Sequence, residues 1–192
     1  VTRSRWQPSQ VRARCASSWQ RKQVAIGGVE GKLIGIDVRP SNGKLYGVAT
    51  DNGLYTIDVV SGRATLIVKM NKPFPIAAKS IVDFNPVADR LRLMSSDGTS
   101  FRVNVDSGEV AVDGSHNYDK SAAWAMDKPW VAAGAYTNSF AGTKATELFN
   151  LDLKQGMLML QAPPNDGVLK AVGKLSIKPE ALDIWSDGNG TD

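Results

Sequence analysis

From residue 33 onward the chain is a succession of short apolar runs separated by turn residues. The first run, 33–38, ends at Pro40, and proline cannot continue a central strand. A second run, 45–50, stops at Asp51-Asn52-Gly53, a strong hairpin signal. The third, 54–59, alternates Leu54-Tyr55-Thr56-Ile57-Asp58-Val59, the period-two pattern of a half-buried strand. Ser61-Gly62 then turns the chain into a fourth run, 64–68. The pattern predicts four short antiparallel strands joined by tight turns, and no segment carries a convincing amphipathic helix.

The same grammar recurs. Residues 37–66 superpose on 83–112 without a gap at an offset of 46, with seven identities: Asp37/Asp83, Pro40/Pro86, Leu45/Leu91, Asp51/Asp97, Val59/Val105, Ser61/Ser107 and Gly62/Gly108. The turn residues falling in register mark a structural repeat, and four strands per 40–50 residues is the spacing of a β-propeller blade. A third, looser unit begins at 131–136, with 146–153 as its partner. In it Phe149-Asn150-Leu151-Asp152-Leu153 echoes 55–59, Gly156 takes the place of Gly62, and 157–161 reads as the fourth strand. A proline-rich loop at 162–167 and one more strand, 168–175, follow. Residues 181–185 look like 36–38 beginning another unit. The expected fold is all-β: antiparallel four-stranded meander repeats, propeller-like, about three and a half blades over residues 30–192.

The phrases LIGIDVRPSNGKLYGVATDNGLYTIDVVSGRAT, VDFNPVADRLRLMSSDG, FRVNVDSGEVAVDG, AAGAYTNSFAGTKATELFNLD and APPNDGVLKAVGKL together resemble the bacterial domain-of-unknown-function family 4394, from about Gly31 to Asp192. The resemblance implies a propeller-like β-meander, commonly in secreted or surface-associated proteins, and implies no reaction and no catalytic residue. Members usually carry an extra strand pair before the segment matching Leu33 and a further hairpin after the one matching 183–192. Against that pattern this chain looks trimmed at both ends, which would leave an exposed sheet edge.

Charge changes the picture only at one end. The 192 residues carry 23 Lys+Arg against 19 Asp+Glu, a net of +4 and a pI near 9.2. Residues 1–29 hold Arg3, Arg5, Arg12, Arg14, Arg21 and Lys22 and no acid; removing those six from the 23 leaves 17 basic against 19 acidic, a body of −2. The basicity belongs to the tail, so it is no argument for nucleic-acid binding. The tail itself reads as a solvated or leader segment, with organelle import or a basic arm on an anionic partner as alternatives. It contains the single Cys15, and with Gly 18 and Pro 9 the composition excludes a disulfide scaffold and a collagen-like repeat. No apolar run is long enough for a membrane helix. No secretory signal is read in the sequence as it stands, so an extracellular or periplasmic location is an expectation from the resemblance alone.

Candidate chemistry is sparse. His116 is the only histidine; in Asp113-Gly114-Ser115-His116-Asn117 it reads as part of a polar surface loop rather than a base or ligand. With one His and one Cys a structural zinc site is close to excluded. Asp187, Asn189 and Asp192 place oxygen side chains as in the first half of a calcium loop but lack the distal glutamate; an ordinary hairpin turn is the alternative. Asp37, Asp83, Asp58 and Asn104 recur at the repeat period, which assigns them to holding turns. Arg90 and Arg92 lie two apart on one strand, with Asp89 or Asp83 as expected partners.

The non-repeating loops carry the ligand-binding candidates: Asn138, Ser139 and Phe140, with Asn165 and Asp166 beside Pro163 and Pro164. Trp124, Trp130 and Trp185 are read as buried packing, with carbohydrate stacking as the alternative. The expectation is a binding or structural module for a protein or carbohydrate ligand, with no cofactor unless calcium. A hydrolase or lyase with its site at the mouth of the blades is the alternative, disfavoured by the single histidine and the repeat-bound acids.

Overall fold

The structure, a computed structural model, describes residues 23–188. Three sheets follow one another along the chain, each built on four antiparallel strands, the third with a short fifth strand added parallel at its edge. Blade 1 contains β1 (Leu33–Val38), β2 (Leu45–Ala49), β3 (Gly53–Ile57) and β4 (Ala64–Lys69). Blade 2 contains β5 (Ser80–Asn85), β6 (Arg90–Ser95), β7 (Ser100–Val103) and β8 (Val110–Val112). After the short β9 (Asn117–Tyr118), blade 3 contains β10 (Val131–Tyr136), β11 (Leu148–Asp152), β12 (Met157–Gln161) and β13 (Val168–Lys174). The fold is all-β and propeller-like, and the offset of 46 maps each strand of blade 1 onto its counterpart in blade 2.

Blade 3 differs from its sequence reading by one strand. Residues 149–152 belong to the second strand, β11, and residues 157–161 to the third, β12; β13 is the fourth. Gly167, not Gly156, therefore occupies the place of Gly62 and Gly108. Alternation looks the same in a second strand as in a third, so periodicity alone does not number them. Residues 181–185, expected to open a further unit, form no strand.

The first strand of each blade packs against the first strand of the next, β1 on β5 and β5 on β10. The core lies between blades. Tyr46, Val48 and Leu54 of blade 1 meet Phe84, Leu91, Leu93, Phe101 and Val103 of blade 2. Ile81 and Met94 of blade 2 meet Tyr136, Leu148, Met159 and Leu169 of blade 3. Aromatic edges add to this burial, with Tyr46 and Phe84 at 5.3 Å and 73°.

One device closes all three blades. The segment entering each blade runs beside the start of that blade's own fourth strand. Gly27 N–H donates to Gly62 C=O (3.1 Å), Asn71 N–H to Gly108 C=O (2.9 Å) and Asn117 N–H to Gly167 C=O (3.0 Å). The three glycines share a left-handed backbone, φ +74°, +75° and +69°. A β-carbon on them would stand 2.1, 2.4 and 2.5 Å from the carbonyl oxygens of Ala25, Lys69 and Ser115. Glycine is thus required twice over, by conformation and by the passing chain, and the outer edge is covered where it begins.

Candidate functional site

The repeated aspartates do more than hold turns. Asp37 Oδ1 accepts from its own Val38 N–H (2.7 Å), but Oδ2 accepts from Phe84 N–H on β5 (2.7 Å). Asp83 Oδ2 accepts in the same way from Tyr136 N–H on β10 (2.8 Å). Each carboxylate reaches across to the next blade's first strand. Burial pushes the Asp37 carboxyl up to about 6, the two N–H donors opposing and the charge of Asp183 adding to the rise. Burial, then the neighbouring Asp37 charge, raises Asp83 well above the carboxylate range.

Beside this pair the first strands of all three blades enclose a cavity of about 310 Å³. Gly35 and Ile36 line it from β1, Ser80–Val82 from β5 and Ala132–Gly134 from β10, and Lys79 stands at its edge. Small residues, Gly35, Ser80 and 132–134, alternate in its walls with Ile36, Ile81 and Val82. Gly35 has no room for more, since a β-carbon there would lie 2.3 Å from Val82. Residues 180–182 complete the lining. From 181 to 187 burial alternates: Leu182, Ile184 and Ser186 are half-buried while Ala181, Asp183, Trp185 and Asp187 are exposed. Residues 180–182 lie on the groove, and the alternation that runs on to 187 is that of a strand with one face down, though no β-strand forms there.

The loop candidates sit at the opposite role. Asn138, Ser139 and Phe140 follow β10 and are half-buried, Asn138 with φ 55° and its carbonyl accepting from Phe140 N–H (2.7 Å). Asn165 and Asp166 lie in a 3-10 turn, Pro164–Asp166, between β12 and β13. A buried relay fixes that turn: Asn150 Nδ2 donates to Gln161 Oε1 (2.8 Å), and Gln161 Nε2 to Pro164 C=O (2.6 Å). Asn165 Oδ1 then accepts from Arg92 Nη2 (2.9 Å), and Gly114 N–H donates to Asn165 C=O (2.9 Å). The two loops share one end of blade 3, and the Asn165 side chain is committed to blade 2. Asp187 is described; Asn189 and Asp192 lie outside the described residues, as do residues 1–22 with Cys15. Among the described residues no group of three or more His, Cys, Asp or Glu is placed to hold a metal ion.

Arg92 pairs with neither Asp89 nor Asp83. Buried at 1% exposure, it donates to Asp113 (2.5 Å), Ser100 (3.0 Å) and the Tyr136 hydroxyl (3.1 Å), while Arg102 clasps the same Asp113 at 2.8–3.1 Å. At the other junction Arg39 bridges Asp89 (2.6 Å) and Asp106 (2.9 Å), holding both carboxyls below their usual range. His116 is not on a surface loop: at 7% exposure its Nε2 lies 3.4 Å from Met94 Sδ. Burial, helped by the Arg92 charge, lowers it to about 4. Trp124 packs edge-on against Tyr118 at 6.3 Å, whereas Trp185 is 77% exposed.

Among solved structures, a protein of unknown function from Bacteroides thetaiotaomicron matches with TM-score 0.53 and 14% identity, over 77% of this chain and 37% of that one. An auxiliary nutrient binding protein from Bacteroides ovatus matches with TM-score 0.46 and 16% identity, over 71% and 35%. The Dos1 propeller matches with TM-score 0.41 and 16% identity, over 79% and 37%. The chain thus spans little more than a third of the length of these proteins. No curated protein matches it. The repeated four-stranded blades, their register and the phrases that carry it agree with one sequence family, matched over residues 11–192: the chain belongs to the family described as Domain of unknown function (DUF4394).

Proposed function

We propose that the chain is a binding module that receives an extended polypeptide segment in its axial groove. No reaction is assignable to it. The observation that carries the reading is the seating of residues 180–182 against the first strands of all three blades. A groove formed by three first strands, with small residues at Gly35 and 132–134 and apolar Ile36, Ile81 and Val82, suits an extended segment. Lys79 and Glu180 supply charge at its margin. The family resemblance adds an extracellular or periplasmic setting to this proposal.

The test uses the full chain and a displayed library of twelve-residue peptides, with a labelled peptide of the sequence of residues 176–187 as a defined probe. Ile36 lines the groove and is 48% exposed, so Ile36→Lys places a charge there without opening the core. Enriched peptides are expected to bind the variant at least tenfold more weakly, with thermal stability unchanged. Failure to enrich any peptide, or equal binding by the variant, overturns the reading.

A further inference from the structure

We propose that residues 180–187 form a strap that closes the axial groove in acid and leaves it as the pH rises, under the control of Asp37, Asp83 and Asp183. The inference rests on the groove being the ligand site, and deepens that reading by naming its regulation.

The geometry has three parts. The strap meets the groove at residues 180–182, and beyond them Ile184 and Ser186 continue the half-buried face begun by Leu182 while Asp183 and Trp185 are exposed. The segment forms no strand, so its place on the groove is open to a change of charge. Asp37 and Asp83 occupy equivalent places on adjacent first strands, each already accepting a backbone N–H of the next blade, so ionising both sets two like charges side by side. Asp183, which occupies the same place in the repeat grammar, lies within electrostatic reach of both. Charge on Asp37 and Asp83 thus opposes that of Asp183 on the strap.

The other charged groups around the pair do not cancel this. Arg92 stands opposite Asp83 on β6, but its guanidinium is taken by Asp113, Ser100, Asn165 and Tyr136. Tyr46 stands opposite Asp37 on β2, and its hydroxyl accepts from Arg39. Arg39 itself is held by Asp89 and Asp106. Lys79 lines the groove together with Glu180, a pair of opposite charges. Asp37, held at about 6, places its own ionisation there, and Asp83 is shifted in the same direction, so the strap is closed on the acid side where both are protonated.

Amide exchange of the intact chain, corrected for intrinsic rates, reads the strap at pH 5 and pH 7.5. Protection over 180–187 is expected to fall at least tenfold at pH 7.5, while that of β6 stays constant. Asp183→Asn is expected to keep the strap protected at pH 7.5 and to weaken capture of the enriched peptides there. Strap protection that ignores pH, an Asp183→Asn chain like the parent, or loss spreading through β5 and β6 overturns the proposal. Peptide capture equal at both pH values sinks the strap and leaves the binding reading standing. Absent capture with a pH-dependent strap sinks the binding reading, and with it the regulatory role proposed here.

Discussion

His116 and Asp37 respond to burial in opposite senses, and the two residues pull stability in opposite directions across the same pH range. The folded chain holds His116 at about 4, below its ordinary 6.5, so its contribution is complete above pH 6.5 and is lost as pH falls through 4. It holds Asp37 at about 6, above 3.8, so that contribution is complete below pH 3.8 and is lost as pH rises through 6. The parent profile should therefore sum opposed slopes, with Asp83 adding to that of Asp37. Replacing His116 by Gln should leave the acid side gaining on the parent by up to about 3 kcal/mol between pH 6.5 and 4. Asp37→Asn should gain on the neutral side, by about 2 kcal/mol at most because the residue is only half-buried. Urea midpoints from pH 4 to 7.5 check both; parallel profiles for the parent and either variant would contradict the assignment.

At the scale of strands and turns, the junction between blades 2 and 3 depends on Asp113, a residue just past β8 whose carboxylate is 3% exposed and receives two arginines. Removing it leaves Arg92 buried with its charge unpaired, so Asp113→Ala should cost about 3–5 kcal/mol. Pairing the change with Arg92→Met should recover part of that loss, since a buried apolar side chain needs no counter-charge. Urea unfolding of the two single variants and the double one measures the coupling, and additive losses would mean the pair is not a unit. Little of this junction was legible in the sequence. The strands of blades 1 and 2 could be read because alternation, Asp-Gly turns and Ser-Gly turns repeat at a fixed offset. In blade 3 the long loops at 137–147 and 162–167 break that offset, and the numbering slipped by one strand. The partners of Arg92 lie on β7, after β8 and in the turn before β13, at separations no spacing rule indicates. The groove was equally hidden: its walls mix Gly, Ala and Ser with ordinary strand Ile and Val, residue types without chemical signature, and they meet only when three first strands converge.

Across the whole molecule, each blade borrows core from the segment that precedes it. Met70 and Phe74 enter the cluster between blades 1 and 2, and Tyr118 and Trp124 that between blades 2 and 3. Val29 plays this part on blade 1, packing on Ala49, Tyr55, Ile57 and Ala64. Around it Ala64 N–H donates to Gly27 C=O (2.8 Å), Glu30 N–H to the Tyr55 hydroxyl (3.2 Å), and Lys69 pairs with Glu30 (3.0 Å). The free face of blade 1 is thus sealed by chain that the sequence pattern assigns to no strand. A chain beginning at Gly31 should be less stable than one beginning at Gln23. The deficit is about 2–4 kcal/mol, from two or three backbone hydrogen bonds near 1 kcal/mol each and the half-burial of one valine. The exposed surface pair with Lys69 adds little. Because Tyr55 and Ile57 would then meet water, the shorter chain should also bind a hydrophobic dye that the longer one does not. Equal urea midpoints for the two chains would show that blade 1 holds its outer face without the entering segment, and that the shared closure of the three blades is coincidence rather than cause.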